Sequence, residues 1–390
     1  MAPRATLSRT AARSSTDPTA GGPVQRRRVL RPDAPFLRRA PGEVQVGTDP
    51  RWSVRLAGLS PDDEAWLRGL ASPSARRGAG AEQATTSGRR AALVRLLDEA
   101  HLLVPARRKR PDSPAPGNGE ADLAVLSALR ADGAGHRVLA ARSRATVAVV
   151  GLGRLGAGLA VHLATAGVGT LVLGDPGAVL TTDVGVGAYR LRDVGSPRAT
   201  AVQRLVGEVA PGVVTAVVPE TGAGTVGYGA PPPDVVVVVE HGAADPGRVA
   251  RLVGEGVAHL SVVVREADVV VGPFVRPGVD PCLTCVELHR ADVDPCWPQL
   301  ARQLRGRTLP AGEESLLAAS AAAAALGQVL AALDGLVPRA ATACIEIPAP
   351  DAVPRLRETS RHPRCGCGEL ARTPPDGAPL PMSGRRRGAD

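Results

Sequence analysis

Thr146-Val147-Ala148-Val149-Val150-Gly151-Leu152-Gly153-Arg154-Leu155-Gly156 decides the fold of this 390-residue chain. Its first five residues are apolar or β-branched, the composition of a buried strand. Glycine then recurs at Gly151, Gly153 and Gly156, and from Leu155 the apolar residues take on helical spacing. A strand that turns into a helix through such a loop leaves backbone amides unpaired at the positive end of the helix dipole, where a phosphate binds. Gly151 permits the tight turn, Gly153 lets the backbone approach the phosphate, and Gly156 lets helix and strand pack closely. The next strand ends in Leu173-Gly174-Asp175, which sets a carboxylate where a ribose hydroxyl would lie.

Beyond this stretch, strand and helix alternate. Strands are expected at 146–150, 170–173, 213–218, 235–239 and 260–264, and helices at 155–166, 198–209 and 246–254. The run Val235–Val239 is all valine, as in a strand covered on both faces. Such alternation predicts an α/β fold, a Rossmann-like doubly wound parallel sheet. After Asp268 the pattern is less regular, then an Ala-rich helix is expected over 313–333 and a strand over 342–347.

Upstream, residues 44–47 and 53–56 alternate like strands around a Thr-Asp-Pro turn. Ser60-Pro61-Asp62-Asp63 is a helix start, an N-cap followed by Pro and first-turn acids, and a second helix is expected over 90–103. Two strands followed by two helices make 31–104 a small winged-helix-like module. Residues 105–119 read as linker and 121–129 as a short helix, so 105–140 joins the module to a nucleotide-binding domain at 141–350. Residues 1–30 read as a disordered tail, and 351–390 as a tail holding the second cysteine pair.

Hydrophobic residues make up 44% of the chain but aromatic ones only 2%, so Ala, Val and Leu must fill the cores. Much of the net charge of +9 sits in Arg26–Arg28, Arg107–Arg110 and Arg385–Arg387. With no aromatics interleaved for base stacking, these read as solvated linkers and tails rather than a nucleic-acid surface. Ser and Gln interrupt the Ala-rich stretch, which reads as a soluble helix rather than a membrane span. The N-terminus lacks the apolar core of a secretion signal. A cytoplasmic protein with no membrane or nucleic-acid partner is expected.

Two cysteine pairs stand out, Cys282-Leu283-Thr284-Cys285 and Cys365-Gly366-Cys367. Short spacers let both sulfurs of a pair face one ion, so four thiolates suit a tetrahedral structural zinc, with His362 as a substitute ligand and reactive or disulfide-forming thiols as the alternative. Cys344, in an expected strand, reads as a small buried hydrophobe. Cys296 lies in the loop Asp294-Pro295-Cys296-Trp297-Pro298, where nothing nearby argues for a lowered pKa.

The run Gly151–Asp175, then Asp193-Val194-Gly195-Ser196-Pro197-Arg198 and Cys282-x-x-Cys285, resembles the ThiF, MoeB and ubiquitin-activating-enzyme family over roughly residues 140–370. The stretches Gly272-Pro273, Pro281–Arg290 and Asp294–Pro298 resemble a narrower branch, the ThiF-like partner proteins of YcaO-type cyclodehydratases in ribosomal-peptide biosynthesis. The resemblance implies an adenylyltransferase that binds ATP, with Mg²⁺, and acts on the C-terminal carboxylate of a small protein or peptide. It implies that Gly151, Gly153 and Gly156 hold phosphate, that Asp175 holds the ribose, and that Arg198 stands where the family has a phosphate-contacting lysine. It also implies a leader-peptide-binding module in front, and leaves a homodimer open.

The chain departs from that pattern twice. The family's Asn-Leu-x-Arg-Gln stretch falls near 182–186, where this chain reads Thr-Asp-Val-Gly-Val, and its metal-binding aspartate falls near Glu240-His241. Glu240 or Asp245 could replace that aspartate only with a shifted backbone. Two other readings therefore stand beside the adenylyltransferase: a non-catalytic scaffold that presents a peptide to a cyclodehydratase, and a dinucleotide-dependent oxidoreductase. The last gives the paired cysteines no role.

Overall fold

The computed structural model describes residues 28–31, 34–71, 88–105, 119–185, 187–218, 232–305 and 313–372. The expected tail up to residue 27, the basic cluster Arg107–Arg110, Val186 and the cluster Arg385–Arg387 lie outside the described residues. The chain divides into two compact units, residues 1–112 with 128–133, and residues 113–127 with 134–390.

The first unit carries strands β1 (Arg28–Leu30), β2 (Phe36–Ala40), β3 (Glu43–Val46) and β4 (Val54–Leu56), helices α1 (Pro61–Ala71) and α2 (Gly88–Glu99), and strand β5 (Leu103–Pro105). Strands β2, β3 and β4 form an antiparallel sheet in that order, and β1 pairs with β5. Val44, Val46, Leu56, Leu67, Leu97 and Leu102 are among its buried core. Helix α1 begins as its sequence dictates: Asp63 N donates to Ser60 Oγ (3.1 Å) and Ser60 N to Asp63 Oδ2 (3.0 Å), a reciprocal cap. Helix α2 stops short of the expected residue 103 because His101 takes φ +53°. Leu102 N then bonds back to Leu97 O (2.7 Å), which frees the next residues to extend as β5.

In the second unit, α3 (Gly119–Ala128, all but its last residue) and α4 (Gly135–Arg142) precede an eight-stranded sheet. Its strands are β6 (Thr146–Val150), β7 (Thr170–Gly174), β8 (Val214–Val217), β9 (Val235–His241), β10 (His259–Val264), β11 (Asp268–Val275), β12 (Ala343–Pro348) and β13 (Arg355–Glu358), in the spatial order β13-β12-β11-β10-β9-β6-β7-β8. The five strands from β8 to β10 are parallel. The other three are antiparallel, so the expected Rossmann-like doubly wound parallel sheet is present, and the less regular stretch after Asp268 adds an antiparallel flank to it. The cause is local: only residues 265–267 separate β10 from β11, too few for a crossover helix, and Arg265 N closes the turn on Asp268 O (2.9 Å).

Helices α5 (Arg154–Thr165), α6 (Arg198–Val209) and α10 (Ser315–Leu333) cover one face of the sheet, where Val147, Val149, Val237 and Val262 point. Helix α7 (Pro246–Gly254) covers the other, over Ala148, Val150, Val236 and Val238. Helices α8 (Leu283–Val293) and α9 (Trp297–Arg305) follow β11. Helix α10 is long and apolar enough to cross a membrane, yet its Leu317, Ala318, Ala321, Ala322, Ala325 and Val329 are buried in the main core. Small residues also line α5, at Gly156, Ala157, Ala160 and Ala164, which suits the close approach of two helices in an aromatic-poor chain. Arg142 fastens this layer from α4, donating to both carboxylate oxygens of Asp334 (2.8 and 2.6 Å).

Candidate functional site

From β6 the chain winds to β7 and β8 on one side, then returns to β9 and β10 on the other. Ligands of such sheets bind at this switch point, in the crevice beyond the carboxyl ends of the strands. The glycine loop stands there. Gly151 takes φ +84°, and a side chain on it would collide with the Val239 carbonyl of β9. A side chain on Gly156 would collide with the Gly151 carbonyl. Gly153 caps α5 with no side chain of its own, and the group that a Cβ there would strike is the carboxylate of Glu313.

Glu313 is the residue that the sequence reading missed. Its Oε2 accepts a short hydrogen bond from Leu155 N, one of the free amides at the head of α5. Its Oε1 lies 3.0 Å from His241 Nε2, and the side chain is only 7% exposed. Arg154 holds the same segment from behind, through Glu313 O (3.0 Å) and Ser315 Oγ (2.8 Å), while its other terminal nitrogen donates to Val184 O (2.8 Å).

Asp175 lies beside the loop at the end of β7, and its carboxylate accepts from Leu152 N (2.6 Å) and Gly177 N (2.7 Å). Arg198, the first residue of α6, approaches Asp175 at 3.4 Å and Asp183 at 2.7 Å. Burial works against the guanidinium charge, but the hydrogen bond to Asp183 and the two carboxylates hold its pKa above the ordinary value. Thus Arg198 faces two acids of its own chain, and Asp183, within the divergent 182–186 stretch, is one of them. Tyr189 donates to Leu152 O (2.6 Å) from full burial, which with the Asp175 charge pushes its phenol up. At the end of β9, burial raises the Glu240 carboxyl above its usual range, and it accepts from Asp245 N (3.2 Å) and lies 3.4 Å from Arg248.

The four paired cysteines come together. Cys282 is the N-cap of α8 and Cys285 lies in its first turn, while Cys365 and Cys367 arrive after β13 through a turn closed by Cys365 N on His362 O (2.9 Å). All four sulfurs lie within 4.8 Å of one another. The pairs 282–285, 282–365 and 285–367 are 3.9, 3.6 and 3.5 Å apart. Tetrahedral thiolates at a zinc–sulfur distance of about 2.3 Å lie roughly 3.8 Å from one another, so the donor set fits a metal ion. His362 is not a ligand: its Nε2 faces Asp292 (2.7 Å) and its Nδ1 accepts from Arg364 N (3.1 Å). Cys344 is buried in β12, its thiol pushed up to about 11 by desolvation. Cys296 is exposed, just before α9.

The pattern of the ThiF family matches residues 127–367, more than half of the chain. The chain belongs to the ThiF family. No curated protein sequence matches it. Among solved structures it is similar to Escherichia coli MccB described with AMPCPP and selenomethionine MccA, at 17% identity and a TM-score of 0.62, over 87% of this chain and 99% of that one. MccB described with ATP aligns at 16% identity and a TM-score of 0.61, again over 87% and 99%. PaaA aligns at 17% and 0.61, over 84% of this chain and 99% of that one. At such identities the likeness is one of fold, and it extends to nearly the whole of each relative.

Proposed function

We propose that this ThiF-family chain binds ATP or a related nucleotide over Gly151, Gly153 and Gly156, with Asp175 toward the ribose, and acts on the carboxyl group of a small protein or peptide. The observation that carries this reading is the glycine loop at the switch point, where Gly153 caps α5 without a side chain and the Leu155 amide at the helix head already meets an anionic group, the Glu313 carboxylate. Family membership supports adenylyl transfer, and the MccB structures described with ATP and with MccA support a nucleotide and a peptide as the two ligands. In that reaction a carboxylate oxygen attacks the α-phosphorus, the bond to the bridging oxygen of pyrophosphate breaks, and an acyl adenylate forms. The loop amides stabilise the charge that builds on phosphate oxygens.

A second reading, the non-catalytic scaffold, draws support from one observation. Arg198 is engaged by Asp175 and Asp183, and Glu240 by Arg248, so the cation and acid expected to serve pyrophosphate and Mg²⁺ have partners within the protein. Full-length protein assayed for ATP–pyrophosphate exchange against candidate peptides separates the two. The enzyme gives exchange that falls at least tenfold in Asp175→Ala. A scaffold binds peptide without exchange, and a chain that neither exchanges nor binds ATP defeats the nucleotide reading.

The cysteine cluster is proposed as a structural zinc site held by Cys282, Cys285, Cys365 and Cys367. The first unit is proposed to bind the peptide, a YcaO-type cyclodehydratase to be the partner enzyme, and the cytoplasm to be the compartment.

A further inference from the structure

We infer that Glu313 sets the nucleotide affinity of the cradle by occupying the phosphate's place with the chain's own carboxylate. The inference rests on the nucleotide reading and adds what governs entry. Two independent features converge on one spot. Leu155 N, an amide at the head of α5 available to a phosphate oxygen, already donates to Glu313 Oε2. Gly153, whose missing side chain leaves room for an anion, faces the same carboxylate. A phosphate oxygen and a carboxylate oxygen cannot share that amide, and both are negative.

The carboxylate is held there by design of the surrounding chain. His241 binds its other oxygen, Arg154 fixes its main-chain carbonyl, and Glu314 caps the start of α10 by accepting from Leu316 N and Leu317 N (2.9 Å each). An acid meant to bridge a cation to a bound nucleotide would keep an oxygen free toward that cation. Here both oxygens have protein partners and the side chain is 7% exposed. Competition, rather than cation bridging, is what this geometry builds.

Ligand affinity falls in proportion to the fraction of molecules whose site is open. An open fraction of about a tenth to a hundredth would make the removal of Glu313 tighten binding by about ten- to a hundredfold. The test is titration of ATP into full-length wild type, Glu313→Ala and Glu313→Gln, followed by calorimetry and by the rise in melting temperature at saturating ATP. Glu313→Gln keeps the shape and an oxygen for Leu155 N while removing the charge, so it guards against misfolding of the alanine variant. Tighter binding in the order alanine, glutamine, wild type supports the inference, as does binding confined to the variants. Equal affinity in all three overturns it and leaves the nucleotide reading standing. Weaker binding in both variants also overturns it and makes Glu313 a ligand-side group. No binding by any of the three overturns the inference and the nucleotide reading together.

Discussion

The glycine loop and the cysteine cluster sit on one sheet and treat their binding groups in opposite ways. At the loop, the chain supplies its own counterparts: Glu313 for Leu155 N, Asp175 for Leu152 N, and Asp175 with Asp183 for Arg198. At the cluster, four sulfurs converge, each within hydrogen-bonding distance of another. A self-satisfied site is stable when empty and must be opened for a ligand. A site of gathered thiols is completed by an ion that displaces their protons and takes the sulfurs as ligands.

The largest effect expected from this contrast is at the cysteines. Exhaustive chelation, or Cys285→Ser, should reduce bound metal from about one per chain to near zero and destabilise the protein by about 5 kcal/mol. That corresponds to a fall in Tm on the order of 10 °C or more. Purified protein that carries no metal and melts unchanged after chelation would erase the contrast. At the loop, Arg198→Ala strands two carboxylates of which neither exceeds 9% exposure. The expected cost is about 3 kcal/mol by denaturant unfolding, and a loss below about 1 kcal/mol would mean that the loop is not held by its own charges. Smallest is Tyr189→Phe, which deletes one buried hydrogen bond to the loop and should cost about 1 kcal/mol, again read by unfolding.

Elements whose signals are local were legible in the residues. Strand β6, helix α6 and helix α7 occupy the expected spans 146–150, 198–209 and 246–254, because apolar period and helix-start chemistry are written within each segment. Strand β11 was hidden by Gly272-Pro273, which reads as punctuation inside Asp268–Val275. The start of helix α9 reads as loop because Pro295 and Pro298 crowd Trp297, although proline is tolerated in a first turn. The cysteine set was visible because thiols are rare and closely spaced. Glu313 was not, since the amide that it meets lies 158 residues away in the chain. No periodicity marks such a pairing. In the sequence Asp183 stands out only as part of a departure from the family pattern, and its pairing with Arg198 shows what occupies that place.

Cys282 and Cys365 stand 83 residues apart in sequence, and their neighbours Cys285 and Cys367 stand 82 apart. An ion gripping all four would therefore be a staple across a long loop that contains α8, α9, α10, β12 and β13. By the chain-entropy relation for cross-links, closing a loop of that length removes about 4.5 kcal/mol of freedom from the unfolded chain. The loop that such an ion would tie includes Glu313 and the long helix that follows it. A knot of that kind at the antiparallel flank of the sheet would thereby shorten the tether of the carboxylate that meets Leu155 N at the head of α5.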